Sequence, residues 1–209
     1  MKNRHKTQHI PTIGVILAGG AGKRLGGVDK GLINLGGQPL VEHVLGTLEP
    51  QVDKVMIVAN RHLDSYAAYG HDILSDSLPG FAGPLAGMLA ALRRVATLNH
   101  RSRCLFVPVD APLLPDNLAD RLNESAGRRE LAVVKTIDGL QPVCCLVGTE
   151  YLDCLEADFE AGERSPAAWL KRHKATPVNF SEVREAIWSL NTPEELARAQ
   201  QTLGNASAA

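Results

Sequence analysis

The stretch VILAGGAGKRLGGVDKGL, residues 15–32, changes character after its first few positions. It begins with apolar residues typical of a buried strand and continues as a glycine-rich segment that carries arginine, lysine and aspartate. Neighbouring glycines let backbone N–H groups turn towards a ligand without interference from a Cβ atom. Arg24 and Lys30 add two full positive charges to this segment. The stretch therefore predicts an anion-binding loop, most simply for a phosphate.

The sequence on both sides of this loop alternates between short apolar runs and amphipathic segments. Strands are predicted for TIGVILA (12–18), KVMIVAN (54–60), DIL (72–74), RCLFVPVD (103–110), LAVVK (131–135), PVCCLV (142–147) and TPVNF (176–180). Helices are predicted at 39–51, 83–98 and about 116–125, and amphipathic segments at 151–155 and 167–173. The first run is almost wholly apolar, as in a parallel strand covered on both faces. This alternation predicts a three-layer α/β fold with a mostly parallel sheet.

The end of the chain carries the start signals of one more helix, NTPEELARAQQTL at 191–203. Thr192 is a predicted N-cap, Pro193 takes the first helical position, and Glu195 completes a capping box. We expect a single domain over residues 12–203. Residues 1–11 are predicted to be a flexible arm and residues 204–209 a flexible tail.

Composition excludes several classes of protein. The 22 Lys and Arg residues nearly balance the 23 Asp and Glu residues, so no global field favours nucleic acid or an anionic membrane. No apolar run approaches the roughly 20 residues that span a bilayer, and the first residues lack the apolar core of a secretory signal. The cysteines show no C-x-x-C spacing, so we expect reduced, packed thiols in the cytoplasm, at Cys104, Cys144, Cys145 and Cys154.

Two common phosphate-binding templates fail on the glycine-rich loop. A Walker A loop requires glycine at position 17 and Ser or Thr at position 24, where this chain has Leu17 and Arg24. The dinucleotide fingerprint G-x-G-x-x-G places Gly20 and Gly22 correctly but then meets Leu25. The loop follows the first strand, and in open α/β sheets the ligand crevice lies at that carboxyl edge. The position of this loop therefore predicts a ligand-binding loop that follows neither of these two templates.

Four segments carry a resemblance to a known family. LAGGAGKRLGGVDKGL (17–32) resembles the signature of nucleotidyltransferases that activate sugars and cofactors with nucleoside triphosphates. GPLAGM (83–88), PVDAPLLP (108–115) and LNTPEEL (190–196) resemble, within that group, the molybdenum cofactor guanylyltransferase family. The first segment alone indicates only the wider group, whereas all four in this order point to the narrower family. The resemblance covers about residues 13–200.

The resemblance implies a three-layer, Rossmann-like nucleotidyltransferase fold with helices on both faces of the sheet. The implied reaction is the transfer of GMP from GTP to the phosphate of Mo-molybdopterin, with release of pyrophosphate. Mg²⁺ is the implied cofactor, with Mn²⁺ as a substitute. GTP, Mo-molybdopterin and other proteins of molybdenum cofactor biosynthesis are the implied partners. We expect a cytoplasmic monomer that binds neither nucleic acid nor membrane.

The resemblance also implies roles for particular residues. Catalytic roles fall on Arg24, Lys30 and Asp110, and Asp110 is the implied metal ligand. Nucleotide-binding roles fall on Leu17, Ala18, Gly19, Gly20, Lys30, Asn60, Asp76 and Asp110. Further candidates are Gly83, Pro84 and Asn191. The segments GLQPVCCLVG (139–148) and AGERSPAAWL (161–170) resemble the family's pterin-facing segments, and Arg164 and Lys171 are candidates for an anionic pterin phosphate. The family often has asparagine where this chain has Ser189, which weakens the prediction for the segment around Asn191.

Several alternatives remain open from the residues alone. Asp110, Asn60 and Asp76 could simply form turns after their strands, and Arg164 could be an exposed charge on an amphipathic helix. A cytidylyltransferase or another nucleotidyltransferase of the same fold is the nearest rival function. A non-catalytic nucleotide-binding module is a rival of a different class, although it has little need for a metal-binding carboxylate beside Arg24 and Lys30.

Overall fold

The computed structural model describes residues 9–20, 28–75, 83–98, 101–183, 189–190 and 192–206. The strands within these residues are β1 (Thr12–Leu17), β2 (Asn34–Leu35), β3 (Gln38–Pro39), β4 (Lys54–Val58), β5 (Asp72–Leu74), β6 (Arg103–Pro108), β7 (Leu131–Thr136), β8 (Gly139–Gly148) and β9 (Thr176–Asn179). The α-helices are α1 (Leu40–Leu48), α2 (Leu63–Ala67), α3 (Pro84–Leu98), α4 (Leu118–Ala126), α5 (Leu152–Glu160), α6 (Pro166–Arg172) and α7 (Pro193–Ala206). A short 3₁₀ turn at Lys30–Leu32 precedes β2.

Seven strands form one sheet in the order β5-β4-β1-β6-β8-β7-β9, and β2 pairs with β3 in a small separate hairpin. β8 runs antiparallel to both of its neighbours, while the other neighbouring pairs of the large sheet are parallel. The prediction of a mostly parallel sheet is therefore confirmed. The antiparallel strand arises because β7 and β8 are joined by a tight turn at residues 137–138, which reverses the chain.

Alternating side chains along the strands supply two hydrophobic layers, one on each face of the sheet. In β1, Val15 belongs to the hydrophobic layer that includes residues of α3, α5 and α6, whereas Ile16 belongs to the layer that includes residues of α1 and α4. The adjacent Cys144 and Cys145 also divide between these layers, which confirms that their side chains point to opposite faces of β8. All four cysteines are free thiols. The result is the predicted three-layer arrangement.

A third, smaller cluster attaches Leu190 and α7 to the β2–β3 hairpin and to α1. It joins Leu35 of β2 and Leu40 of α1 to Leu190 and to Ala199 of α7. The capping box of α7 is confirmed, because the Thr192 backbone N–H donates to Glu195 Oε2 and the Glu195 N–H donates to Thr192 Oγ1 (3.1 and 3.2 Å). The cluster around Leu190 fixes residues 189–190 against the rest of the fold.

Several elements differ in extent from the prediction. The short α2 and the β2–β3 hairpin were not predicted, because their runs are too short to show a periodicity. α4 begins at Leu118 rather than near 116, since the Leu118 N–H still bonds to Pro115 O in a preceding turn. α5 and α6 are regular helices, and α7 continues to Ala206, beyond the predicted end of the domain at 203.

The described residues nearest the amino terminus pack along the opposite edge of the sheet. Pro11 O accepts the Arg103 N–H at 2.8 Å, and His9 Nε2 lies 2.8 Å from Asp53 Oδ1. Residues 1–8 and 207–209, which make up most of the predicted arm and half of the predicted tail, lie outside the described part of the chain. Across the segments that the structure does describe, none of the helices is both long and apolar enough for a bilayer.

Candidate active site

Three central strands end side by side at the carboxyl edge of the sheet. Leu17 of β1 is in register with Val58 of β4 on one side and Pro108 of β6 on the other. The residues that follow these strand ends meet the same crevice. Ala18–Gly20 follow β1, Asn60 follows β4, and Asp110 follows β6. The topology thus brings together residues that are up to about ninety positions apart in the chain.

A cavity of about 290 Å³ opens at this edge. It is lined by Leu17, Ala18, Gly19, Gly20, Lys30, Val58, Asn60, Gly83, Pro84, Gly87, Pro108, Val109, Asp110, Val143 and Ser189. Most of this lining is apolar or backbone, with a few charged and polar side chains. That combination is typical of small-molecule sites, where a few polar groups orient the ligand.

Asp110 and Lys30 form the charged centre of the cavity. Lys30 Nζ lies 2.6 Å from Asp110 Oδ2, and the side chains are only 17% and 11% exposed. Ser189 Oγ donates to the same Asp110 oxygen at 3.1 Å, and the Leu190 N–H donates to Asp110 O at 3.0 Å. The carboxylate is therefore held by a cation and a hydroxyl from distant parts of the chain.

The turn that carries Lys30 is itself tied down by a buried carboxylate. Asp29 is 4% exposed and accepts the Gly31 N–H at 3.2 Å, as an N-cap of the 3₁₀ turn Lys30–Leu32. Its Oδ1 also accepts the hydroxyl of Tyr66 at 2.6 Å. Burial, with the hydrogen bond to Asp29, raises the pKa of Tyr66 far above its usual value, so this hydroxyl keeps its proton and acts as a donor.

Gly31 leaves no room for a larger residue in this turn. A Cβ atom there would overlap the Tyr66 hydroxyl and would lie 2.8 Å from Val109 Cγ2. We therefore expect Gly31→Ala to lower the free energy of unfolding by about 1–3 kcal/mol through overpacking. Urea unfolding followed by circular dichroism measures this change.

Gly46→Ala is the matched control for that measurement. Gly46 lies on α1 and is exposed, and a Cβ added there would meet no atom within 4 Å outside its own helical backbone. Alanine there should stabilise the protein by about 0.5–1 kcal/mol, because glycine lowers helix stability. Equal stability of Gly31→Ala and the natural sequence would contradict the close packing of Tyr66 on this turn.

The glycine-rich segment is closed on one side by Asn60. A Cβ at Gly19 would approach the Asn60 amide nitrogen to 3.3 Å, so the glycine allows the two to lie against each other. Asn60 Oδ1 accepts the hydroxyl of Ser75 at 3.1 Å, and Arg61 Nη2 donates to Gly20 O at 3.1 Å. Asn60 and Arg61 therefore support the described part of the loop from its outer side.

The first turn of α3 forms the opposite wall. Gly83 has a positive φ of 81°, which glycine adopts readily, and Pro84 is the first helical residue. A Cβ at Gly87 would lie 3.2 Å from Val58 Cγ1 and 3.3 Å from Leu17 Cδ2, so this glycine lets α3 approach the strand ends closely. The wall beside the cavity is thus made of backbone and small residues.

Arg164 lies near this wall through its backbone only. Its carbonyl oxygen is 3.7 Å from a Cβ position at Gly83. The guanidinium instead packs 3.8 Å from the centre of the Phe159 ring and donates to Phe159 O at 2.6 Å and to Glu163 O at 2.7 Å. The side chain is not among those that line the cavity.

The structure brings most of the sequence-predicted site residues together, and it adds others. Leu17, Ala18, Gly19, Gly20, Lys30, Asn60, Gly83, Pro84 and Asp110 all line the one cavity. Arg24, Asp76 and Asn191 lie outside the described residues. Val143 of β8 and Gly87 of α3 were not predicted as site residues. Gly87 had a signal, because it lies one helical turn after Gly83, and Val143 lies within residues 139–148, a segment that resembles the family's pterin-facing segments.

The oxygen donors of the site are suited to magnesium. Mg²⁺ usually takes one or two protein carboxylates and completes its coordination with phosphates and water. Asp110 offers such a buried carboxylate beside the cavity. Within the described residues no three His, Cys, Asp or Glu side chains cluster as a self-sufficient metal site. The residues present therefore fit an ion that enters together with phosphate groups.

The fold is shared with solved structures of other proteins. The solved molybdopterin-guanine dinucleotide biosynthesis protein A from Archaeoglobus fulgidus has the same fold, with a TM-score of 0.73, 22% identity, and coverage of 92% of this chain and 99% of that one. A Mycobacterium tuberculosis protein solved with manganese is also similar, with a TM-score of 0.64, 14% identity, and coverage of 91% and 98%.

The sequence comparisons identify the class of enzyme, a nucleotidyltransferase, and the family within that class. The profile of the MobA-like NTP transferase domain matches residues 14–177. A molybdenum cofactor guanylyltransferase from Shewanella sp. (strain MR-4) is 40% identical over 186 residues, which cover 88% of this chain and 92% of that protein. The chain belongs to the MobA-like NTP transferase family.

Proposed function

We propose that this protein transfers GMP from GTP to the phosphate of Mo-molybdopterin, forming the guanine dinucleotide cofactor and pyrophosphate. The observation that carries the proposal is the meeting of Gly19, Gly20, Lys30 and Asp110 around one cavity at the carboxyl edge of the sheet. The 40% identical Shewanella relative, described as a molybdenum cofactor guanylyltransferase, supports the choice of substrates.

The chemistry asks for no nucleophile from the protein. An oxygen of the acceptor phosphate attacks the α-phosphorus of GTP, a new P–O bond forms, and the bond to the β-phosphate oxygen breaks. The electron pair of that bond leaves with pyrophosphate. Because the attacking oxygen is already anionic, the protein contributes positioning and charge stabilisation.

The glycine-rich segment and Lys30 would bind the triphosphate end of GTP. Gly19 and Gly20 line the cavity, and neither carries a side chain that would keep a phosphate from their N–H groups. Lys30 would stabilise the negative charge that develops on the departing β- and γ-phosphates. Arg24, which the family signature includes, is proposed to assist on the same phosphates. Asn60 and Asp76 are proposed to contribute to the nucleoside side of the site.

Asp110 would hold a Mg²⁺ ion, with Mn²⁺ as a substitute. When bound, the ion neutralises phosphate charge during the transfer. Asp110 Oδ2 is at present paired with the Lys30 ammonium at 2.6 Å. A metal held by Asp110 would compete with the Lys30 ammonium for the carboxylate, and Lys30 would then turn to the phosphates. Asn191 is proposed to complete this side of the site.

The acceptor would occupy the part of the cavity nearest Val143 and the start of α3. Gly83 and Pro84 offer backbone and apolar surface there. Arg164 is proposed for the anionic acceptor, although its guanidinium must first leave the Phe159 ring. Two further proposals concern the whole protein, namely that it acts as a monomer and that it works in the cytoplasm, where four free thiols stay reduced.

The experiment that tests the proposed function compares three nucleotides in one assay. Purified protein is incubated with Mo-molybdopterin, Mg²⁺, and GTP, CTP or ATP, and pyrophosphate release is measured. We expect release with GTP at least about tenfold faster than with the other two, since hydrogen bonds to a base reject analogues that cannot make them.

Two other outcomes would contradict the proposal in different ways. A preference for CTP would identify a cytidylyltransferase of the same fold. Binding of GTP with no pyrophosphate release would identify a non-catalytic nucleotide-binding protein. Omission of Mo-molybdopterin is the control, because release without an acceptor would indicate hydrolysis rather than transfer.

A further inference from the structure

Tyr66 lies where the segment that carries Lys30 meets the segment that carries Asp110. Tyr66 is fully buried on α2, and its hydroxyl donates to Asp29 Oδ1 at 2.6 Å. It also lies over Gly31, the residue after Lys30, where a Cβ atom would collide with it. The same Cβ position is 2.8 Å from Val109, the residue before Asp110. The hydroxyl therefore lies at the junction of both segments.

This arrangement restricts the backbone on either side of Lys30. Asp29 accepts the Gly31 N–H at 3.2 Å while it accepts the Tyr66 hydroxyl. The two donors hold one buried carboxylate in a fixed orientation, and that carboxylate caps the turn at Lys30–Leu32. Hydrogen bonds to a charged, buried acceptor are stronger than neutral ones, so loss of one donor loosens the turn.

We propose that Tyr66 is a positioning residue for Lys30, which through Asp29 and Gly31 fixes the turn that aims the Lys30 ammonium into the cavity. The inference rests on the proposed function, because it assumes that Lys30 acts on the triphosphate. Tyr66 does not line the cavity and touches no substrate in this scheme. Its hydroxyl acts only through the segment that carries the lysine.

The variant Tyr66→Phe removes the hydroxyl and keeps the ring that fills the core. We expect kcat for pyrophosphate release from GTP to fall about tenfold, in line with loss of one hydrogen bond to a charged group. KM for GTP should change less than about threefold, because Gly19, Gly20 and the base contacts remain. Steady-state kinetics at saturating Mo-molybdopterin separate the two parameters.

Tyr69→Phe is the matched control for this loss. Tyr69 follows α2, and its hydroxyl also donates to a carboxylate, Glu42 Oε1, at 3.1 Å. It contacts neither Asp29 nor Gly31 through any hydrogen bond of the described residues. Tyr69→Phe should leave kcat and KM within about twofold of the natural sequence.

A double variant separates positioning from general loosening of the fold. In a Lys30→Met background there is no ammonium to aim, so adding Tyr66→Phe should change the residual kcat by less than about twofold. A tenfold further loss in that background would overturn the proposal, because the hydroxyl would then act independently of Lys30. An unchanged kcat of Tyr66→Phe alone would overturn it as well.

Hydrogen exchange gives a readout that does not depend on catalysis. The Gly31 N–H donates to Asp29, so Tyr66→Phe should speed its exchange about tenfold or more, while Tyr69→Phe should not. Unaltered exchange at Gly31 would overturn the proposal whatever the kinetics show. If the natural sequence releases no pyrophosphate from GTP, the proposed function fails, and the exchange result still decides whether Tyr66 holds the turn.

Discussion

Asp110→Asn is expected to slow pyrophosphate release from GTP on the order of 10³-fold. The amide has nearly the shape of the carboxylate but no charge, so it holds Mg²⁺ far more weakly. It can still accept a hydrogen bond from Ser189, whose hydroxyl lies 3.1 Å from Oδ2. Circular dichroism should therefore show a folded protein.

The experiment measures the rate and its dependence on Mg²⁺ concentration, for the natural sequence and for Asp110→Asn. The natural sequence should reach half-maximal activity at a defined Mg²⁺ concentration, and the variant should require a concentration at least about tenfold higher. Asp116→Asn is the control, because Asp116 is exposed in the segment before α4. Natural rates and natural metal dependence in Asp110→Asn would remove this residue from the proposed mechanism.

The residues that sequence reasoning identified share a simple physical basis. β1 and the two glycines after it could be predicted because a buried parallel strand is a continuous apolar run and glycine pairs are a local signal. The capping box at Thr192 and Glu195 is likewise local. Asp110 could be placed at the crevice because it follows a central strand, and parallel strands end at a common edge.

The residues that were missed depend on contacts between distant segments. Tyr66 meets Asp29 across 37 positions, and nothing in the sequence of α2 distinguishes its hydroxyl from that of Tyr69. Val143 reaches the cavity because β8 is inserted antiparallel beside β6. The apolar run PVCCLV did not reveal this orientation, although the resemblance placed the segment 139–148 near the pterin. Such neighbours follow from topology, which strand propensity does not specify.

Arg164 is the opposite case, because it was predicted for the site but its side chain does not line the cavity. A basic residue in an amphipathic segment is equally consistent with a ligand for an anion and with a solvated charge. The structure shows a third arrangement, in which the guanidinium packs on the Phe159 ring and bonds to two nearby carbonyl oxygens. Arginine readily stacks on aromatic rings because its guanidinium is planar and weakly hydrated. The sequence alone does not show which nearby ring and carbonyl groups the guanidinium contacts.

In the proposed mechanism, the ion pair between Lys30 and Asp110 couples metal binding at Asp110 to triphosphate binding at Lys30. At 2.6 Å the ammonium occupies one oxygen of the carboxylate that would hold the metal. Both side chains are mostly buried, so the pair is screened by water far less than a surface pair. Separating it is unfavourable unless both groups gain new partners. A metal–triphosphate complex offers both, a cation for Asp110 and phosphate oxygens for Lys30, whereas the metal alone offers only the first.

Lys30→Met therefore has two expected effects in opposite directions. Turnover with GTP should fall on the order of 10²- to 10³-fold, as for the loss of one preorganised charge at the leaving group. Binding of Mn²⁺ in the absence of nucleotide should become tighter by about tenfold or more, since the ammonium no longer competes for Asp110. Electron paramagnetic resonance of free Mn²⁺ measures the second effect without any turnover.

Lys54→Met distinguishes these effects from the loss of any lysine. Lys54 also pairs with an aspartate, Asp72, at 2.8 Å, but it lies at the amino end of β4 and is about half exposed. It should change neither turnover nor Mn²⁺ affinity, because exposed ion pairs contribute little. If Lys30→Met kept its natural turnover, the lysine would have no catalytic role. If it lost turnover but bound Mn²⁺ no better, the ion pair would not oppose metal binding, and the coupling between metal and triphosphate would have to arise elsewhere in the site.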